Sequence, residues 1–172
     1  MLRPRIIPCL LVRDGGLVKT VNFGDAKYVG DPINAVRIFN EKEVDELMVV
    51  DIDASVYHRD PDYNLVKNLA AECRMPLCYG GGVRTLEQVE KLVSLGVEKV
   101  AMSSAVVGEP DLVTRVADVV GSQSVVVVMD VRRVGTNGNY EIWTLNGTKR
   151  TGISPDELAR QLESLGAGEV VI

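Results

Sequence analysis

One histidine, His58, stands in 172 residues, and it lies in a polar stretch. Histidine-based triads and histidine-rich metal sites are therefore excluded. Cysteine is scarce as well: Cys9, Cys73 and Cys78 are odd in number and sit in or beside apolar runs. They read as reduced core residues of a cytoplasmic protein, with neither a disulfide framework nor a metal site among them. No apolar run approaches the ~20 residues of a membrane helix. The first of them, Ile6 to Val12, contains a proline and ends at Arg13-Asp14, which is also too short for a signal peptide. Positive charge is not in excess: 19 Lys and Arg face 24 Asp and Glu, for a formal net charge of -5. That balance argues against nucleic acid as a partner. With 46% hydrophobic and 25% charged residues, the composition is that of a globular protein. The length suits one domain, residues 1–172, with a sizeable core. No cofactor is expected.

What is present is organised around Leu77-Cys-Tyr-Gly80-Gly81-Gly82-Val83-Arg84-Thr85-Leu86. A short apolar run enters three glycines, and a helical pattern (Leu86, Val89, Leu92, Val93) starts at once. Glycines let the backbone turn tightly and approach a ligand. The helix start adds unpaired N–H groups and a positive dipole end, an arrangement suited to phosphate. A tight strand-to-helix turn without a ligand is the plainer reading of the same residues.

The rest of the chain repeats this strand–loop–helix unit. Arg5 to Val12 is an apolar run of strand length, as expected of a strand covered on both faces. Arg13 to Gly30, rich in glycine and charge, reads as a loop carrying Lys19 and Lys27. Asp31-Pro32 opens a helix with a cap and a first-turn proline. Leu47 to Ile52 is the next strand, Asp60-Pro61 opens the second helix, and Met75 to Tyr79 is the third strand. Lys99 to Ser104 and Ser124 to Met129 are strands four and five, with a helix opened by Glu109-Pro110 between them. Tyr140 to Thr144 followed by Asn146-Gly147 reads as an inserted hairpin. Ser154-Pro155 opens a last helix, and Glu169 to Ile172 begins a sixth strand.

Alternating strands and helices imply a parallel sheet, either doubly wound or closed as a (β/α)8 TIM barrel. An internal repeat favours the barrel. Pro32 to Glu46 matches Pro155 to Glu169, and Leu95 to Val100 matches Leu165 to Val170. A full barrel takes roughly 250 residues. The expectation is an incomplete barrel of about five βα units plus the sixth strand, with two further units missing.

In such barrels chemistry gathers at the C-terminal ends of the strands. There, Gly82 with Ser103 and Ser104 offers N–H groups and hydroxyls for one phosphate. Asp130 follows five apolar residues, so burial should raise its pKa and suit it to general acid–base work. Capping of the following turn is the alternative role. At the opposite end the strand starts carry Arg5, Glu46, Lys99 and Glu169. Two cations and two anions in equivalent positions make either a ring of ion pairs across the barrel floor or four separate solvated charges.

Several stretches, in order and spacing, resemble a known family: Arg5-Ile-Ile-Pro-Cys-Leu, Val21-Asn-Phe, Gly30-Asp-Pro, Asp45-Glu-Leu, Tyr79-Gly-Gly-Gly-Val-Arg, Gly121-Ser-Gln, Thr151-Gly and Leu165-Gly-Ala-Gly-Glu. The family is the cyclase subunit of imidazole glycerol phosphate synthase, a glutamine amidotransferase of histidine biosynthesis. The resemblance covers essentially the whole chain. It implies a (β/α)8 barrel with a glutaminase subunit docked on its floor, sending ammonia up to a phosphorylated small-molecule substrate. It also implies that Arg5, Glu46, Lys99 and Glu169 form the ammonia gate and that Glu98 lies at the glutaminase interface. Gly82, Ser103 and Ser104 fall where the family binds a substrate phosphate, and Lys19 in the loop that closes over the active site.

The family uses two aspartates, at the ends of strands one and five. Asp130 matches the second, but the first position is Leu11, and the repeat agrees: Ile6 to Leu11 aligns with Val125 to Asp130. Leucine moves no proton, which sets this chain apart from the lyase chemistry of the family. The stretches Leu11 to Lys19 and Val49 to Ser55 look most like paralogues of surface-polysaccharide gene sets. Those relay ammonia from a glutaminase to a partner amidotransferase that turns an acetamido sugar into an acetamidino sugar. The histidine-pathway cyclase is the alternative.

Overall fold

A computed structural model of the chain describes residues 3–135 and 138–172. Three strands come first: β1 (Cys9–Arg13), β2 (Gly16–Val21) and β3 (Gly24–Gly30). Then follow α1 (Pro32–Glu41), β4 (Leu47–Asp51), α2 (Tyr63–Glu72), β5 (Leu77–Gly80), α3 (Leu86–Ser94) and β6 (Lys99–Met102). A short α4 (Ser104–Gly108) precedes α5 (Leu112–Val120) and β7 (Val125–Val128). The chain continues through β8 (Asp130–Val134), β9 (Asn139–Thr144), β10 (Lys149–Arg150), α6 (Pro155–Ser164) and β11 (Glu169–Val171).

Eight strands form one sheet in the order β11-β7-β6-β5-β4-β1-β2-β3. All neighbours from β1 through β4, β5, β6 and β7 to β11 are parallel. Laid flat, six strands would hold β1 about 24 Å from β11. Arg5, just before β1, nevertheless meets Glu169 at the start of β11 at 2.6 Å. The sheet is therefore curled into an arc of a (β/α) barrel.

Alternation along the strands sorts side chains to the two faces of this arc. On the convex side Leu47, Val49, Leu77, Tyr79, Val100 and Val127 pack under the apolar stripes of the helices, with Val66, Leu69, Leu92 and Val116 wholly buried. At about 1.5–3 kcal/mol for each aliphatic side chain, this layer is the main stabilising one. The concave side carries a smaller cluster, Met48, Cys78, Ala101 and Val126, with Val50, Val128 and Val171 against it.

The repeat has a structural counterpart. Helices α1 and α6 are both ten residues long with proline in the first turn, and each is followed by a glutamate at a strand start, Glu46 or Glu169. Asp31 caps α1 through Asn34 N–H at 2.9 Å.

Four local expectations are corrected. Residues 13–30 are not a loop but a hairpin, β2 and β3, that pairs antiparallel onto the upper part of β1. Its short alternating strands are hidden by glycine and charge. The insertion after β7 is a three-stranded sheet, β10-β9-β8, because the chain turns back on itself directly after Met129. Helix α2 starts at Tyr63, capped by Asp62 instead of Asp60. The proline pair Glu109-Pro110 separates two helices, α4 and α5, and the second begins at Leu112.

Candidate functional site

The strand ends surround a cavity of about 200 Å³ that joins Leu11, Asp51, Gly82, Ser103, Ser104 and Asp130. Lower down it is lined by Cys9, Met48, Val50, Ala101, Val128 and Val171, an apolar bore running towards the strand starts. Asp130 opens β8 where the chain leaves the sheet. Burial pushes its carboxyl above the ordinary aspartate value, against the Gly147 backbone N–H and the charge of Arg132. Asp51 behaves alike: burial pushes it up although it accepts hydrogen bonds from Asp53 N–H at 3.0 Å and Ala54 N–H at 3.1 Å. Its place at a strand end was visible in the sequence, but its sharing of one cavity with Asp130 was not. Leu11 faces the same cavity, so the end of β1 contributes hydrocarbon where β7 leads into a carboxylate.

Gly81 and Gly82 both have positive φ, at 111° and 75°. A Cβ on Gly81 would press into the Asp51 carbonyl. Among the described residues, the backbone N–H groups of Gly82, Val83, Ser104 and Ala105 have no intramolecular acceptor. The start of α3 is different from the sequence reading. Thr85 and Gln88 form a capping box, and Gln88 Oε1 also accepts from Arg84 N–H at 2.8 Å. That helix start is closed by its own side chains, and the open donors lie in the glycine turn and at Ser104.

Two hairpin ends cover the mouth. Leu145 N–H, in the β9–β10 turn, donates to Ser104 Oγ at 3.2 Å, and Asn146 Nδ2 donates to Asp53 at 3.3 Å. From the other side the β2–β3 hairpin presents Thr20 and Phe23 to the cavity. Arg132 lies between the rings of Phe23 and Trp143, 5.4 and 5.0 Å from their centroids. Lys19 is on the exposed face of β2, opposite Lys27, and does not line this cavity.

At the opposite end four charges close a ring. Arg5 meets Glu46 at 3.1 Å and Glu169 at 2.6 Å, and Lys99 meets Glu46 at 2.7 Å and Glu169 at 2.8 Å. Glu46 is only 3% exposed. Removing such charges from water is costly, and the ring offsets the cost because every member has two partners of opposite sign. Burial pulls the Lys99 ammonium down, yet hydrogen bonds and charge from Glu169 and Glu46 outweigh it and hold its pKa above the ordinary value. Burial likewise pushes Glu169 up, and Lys99 and Arg5 more than reverse it. Beside the ring, exposed Glu98 accepts from Leu77 N–H at 2.8 Å. Among the described residues no cluster of three His, Cys, Asp or Glu could hold a metal ion, and no helix is long and apolar enough to cross a membrane.

A curled parallel sheet, open amides at its mouth and an ion-paired floor define a barrel-type α/β protein with its site at the strand ends. Within that class the chain belongs to the family described as "Histidine biosynthesis protein", whose model matches residues 5–172. It is 54% identical over 172 residues to a Vibrio vulnificus protein named "Putative imidazole glycerol phosphate synthase subunit hisF3", covering all of this chain and 66% of that one. A Pseudomonas aeruginosa protein, "Putative imidazole glycerol phosphate synthase subunit hisF2", is also 54% identical, with 100% and 68% covered. "Imidazole glycerol phosphate synthase subunit HisF" of Alkaliphilus metalliredigens is 41% identical, again with 100% and 68% covered. The chain thus spans about two thirds of the length of these curated relatives.

Proposed function

We propose that this chain is the barrel part of a glutamine amidotransferase, a cyclase-type subunit in one domain, residues 1–172. In this reading a glutaminase partner docks on the floor beside Glu98, and ammonia passes the gate of Arg5, Glu46, Lys99 and Glu169. The apolar bore suits neutral ammonia, because an ion there would lose its hydration without a partner. The flexible Lys99 stem is the element that swings aside. At the mouth Gly82, Ser103 and Ser104 take a phosphate, Lys19 belongs to the covering hairpin, and Asp130 is the one strand-end acid of the family pair. The working place is the cytoplasm.

The observation that carries the finer reading is Leu11 beside Asp130 in one cavity. With leucine in place of the first acid of the family pair, we favour the paralogue that relays ammonia to a partner amidotransferase, for acetamido-to-acetamidino sugar modification in surface polysaccharide synthesis. The family description supports the second reading, an imidazole glycerol phosphate cyclase of histidine biosynthesis.

A direct cyclase assay on the full-length protein, with saturating ammonium replacing the glutaminase, separates the two. Turnover should be poor, because a positioned acid or base contributes about 10²–10⁴-fold at such a step. Turnover equal to that of an ordinary cyclase subunit overturns the relay and leaves the histidine-pathway enzyme.

A further inference from the structure

Three sulfur side chains stand in one row across the concave face of the sheet. Cys9 of β1 is the register partner of Met48 on β4, and Met48 is the partner of Cys78 on β5. Met48 and Cys78 are buried in the concave cluster, and Cys9 lines the bore together with Met48. In a flat sheet Cys9 and Cys78 would lie about 10 Å apart, two strand spacings. The sheet is curled, so side chains on its concave face converge, and Cys9 is near enough for its charge to act on Cys78. The next row towards the mouth is Leu11, Val50 and Gly80, which offers only hydrocarbon. Burial pushes both thiols up. They hold their protons at neutral pH, and only an ion that binds sulfur strongly enough to displace those protons is retained there. Cys73 stands apart from the row at the end of α2, where its thiol donates to the Met75 carbonyl at 3.2 Å.

We infer that this row is a binding site for a soft monovalent metal ion, copper(I) or silver(I), held by the Cys9 and Cys78 sulfurs with the Met48 thioether as third donor. Thiolate and thioether ligands select such ions. A zinc ion would be short of its usual four ligands, since the only histidine lines a cavity at the mouth. Binding replaces two S–H bonds with two S–metal bonds and releases two protons to solvent, and no electron is transferred. The resulting centre carries a net charge of one minus, beside Lys99, the register partner of Cys78 on β6. The site goes beyond the ammonia reading and does not depend on it.

The test is a titration of the full-length protein with silver nitrate in chloride-free buffer, following sulfur-to-metal absorption and proton release. Wild type should take one tight silver ion and release two protons with it. Cys9→Ala and Cys78→Ala should each weaken that ion more than about 100-fold, since even outer partners of a metal site are worth 10–100-fold. Cys9 is exposed, so its replacement tests the site without disturbing the core. Met48→Leu should weaken binding about tenfold, the loss of one neutral soft donor. Cys73→Ala should leave the tight ion in place. A tight ion retained by Cys9→Ala, or a single proton released per ion, overturns the shared site. Unchanged affinity in Met48→Leu overturns the third donor and leaves a two-thiol site.

Discussion

The two ends of the strands treat charge in opposite ways. At the floor every ionised group touches two of the opposite sign, so the ring has no capacity left for a ligand. At the mouth, carboxyls are pushed up by burial, four amides stand open among the described residues, and Lys149 lacks an acid. Satisfied charge holds a shape, whereas unsatisfied polarity leaves capacity for a further partner. One curled sheet provides both because its side chains alternate and its two rims are built from different residue types.

The largest expected effect comes from breaking the floor. Lys99→Glu leaves three acids around Arg5 with Glu46 buried among them, and should cost about 3–5 kcal/mol in urea unfolding. A loss below 1 kcal/mol would mean that the four contacts are not a coupled unit. Next comes the turn at the mouth. Gly81→Ala forces a side chain onto φ 111° and into the Asp51 carbonyl, for an expected loss of about 2–3 kcal/mol.

Asp130→Asn should instead stabilise, by about 1 kcal/mol at neutral pH, as polar site residues often do when neutralised. The sign follows from its raised pKa. Between the ordinary aspartate value and the raised one, the folded state binds more protons than the unfolded. Stability of the wild type therefore falls as pH rises through that window. The gain of the variant should appear as pH climbs above about 4 and vanish in acid. A gain that is flat with pH would deny that burial of the charge is its cause. The smallest effect belongs to Arg37→Ala. Arg37 pairs with Glu72 through two hydrogen bonds of 3.0 Å on the outer surface, yet solvent screens it, and the urea midpoint should not move measurably. A shift comparable to that of Lys99→Glu would erase the distinction between ring and surface pair.

The four charges at equivalent strand starts were legible, but a ring and four separate solvated charges fitted them equally until the contacts decided for the ring. The parallel strands were legible too, because buried strands are continuous apolar runs. The hairpin of β2 and β3 was not, since Gly16 to Gly30 has the composition of a loop and becomes strand only by pairing with the end of β1. Strand β8 escaped for a related reason: Asp130 to Val134 follows the previous strand with a single residue between. The cap at α3 was written in the sequence as Thr85 and Gln88, three positions apart, beneath the stronger signal of three glycines. The nearness of Lys149 to Ser104 could not be read from sequence, because 45 positions separate them and only the inserted sheet brings both to one cavity.

The floor also acts on assembly. Arg5 and Glu169 lie 164 positions apart, and they meet only once every parallel strand between them has paired. A slip of one residue in any strand turns its side chains to the other face. Glu46 would then give way to Leu47, Lys99 to Val100 or Glu169 to Val170, and an aliphatic group would confront the remaining charges. The ring therefore serves as a checksum on the register of the whole sheet. Because so long a chain segment must be closed before the contact forms, it belongs among the last to be made during folding.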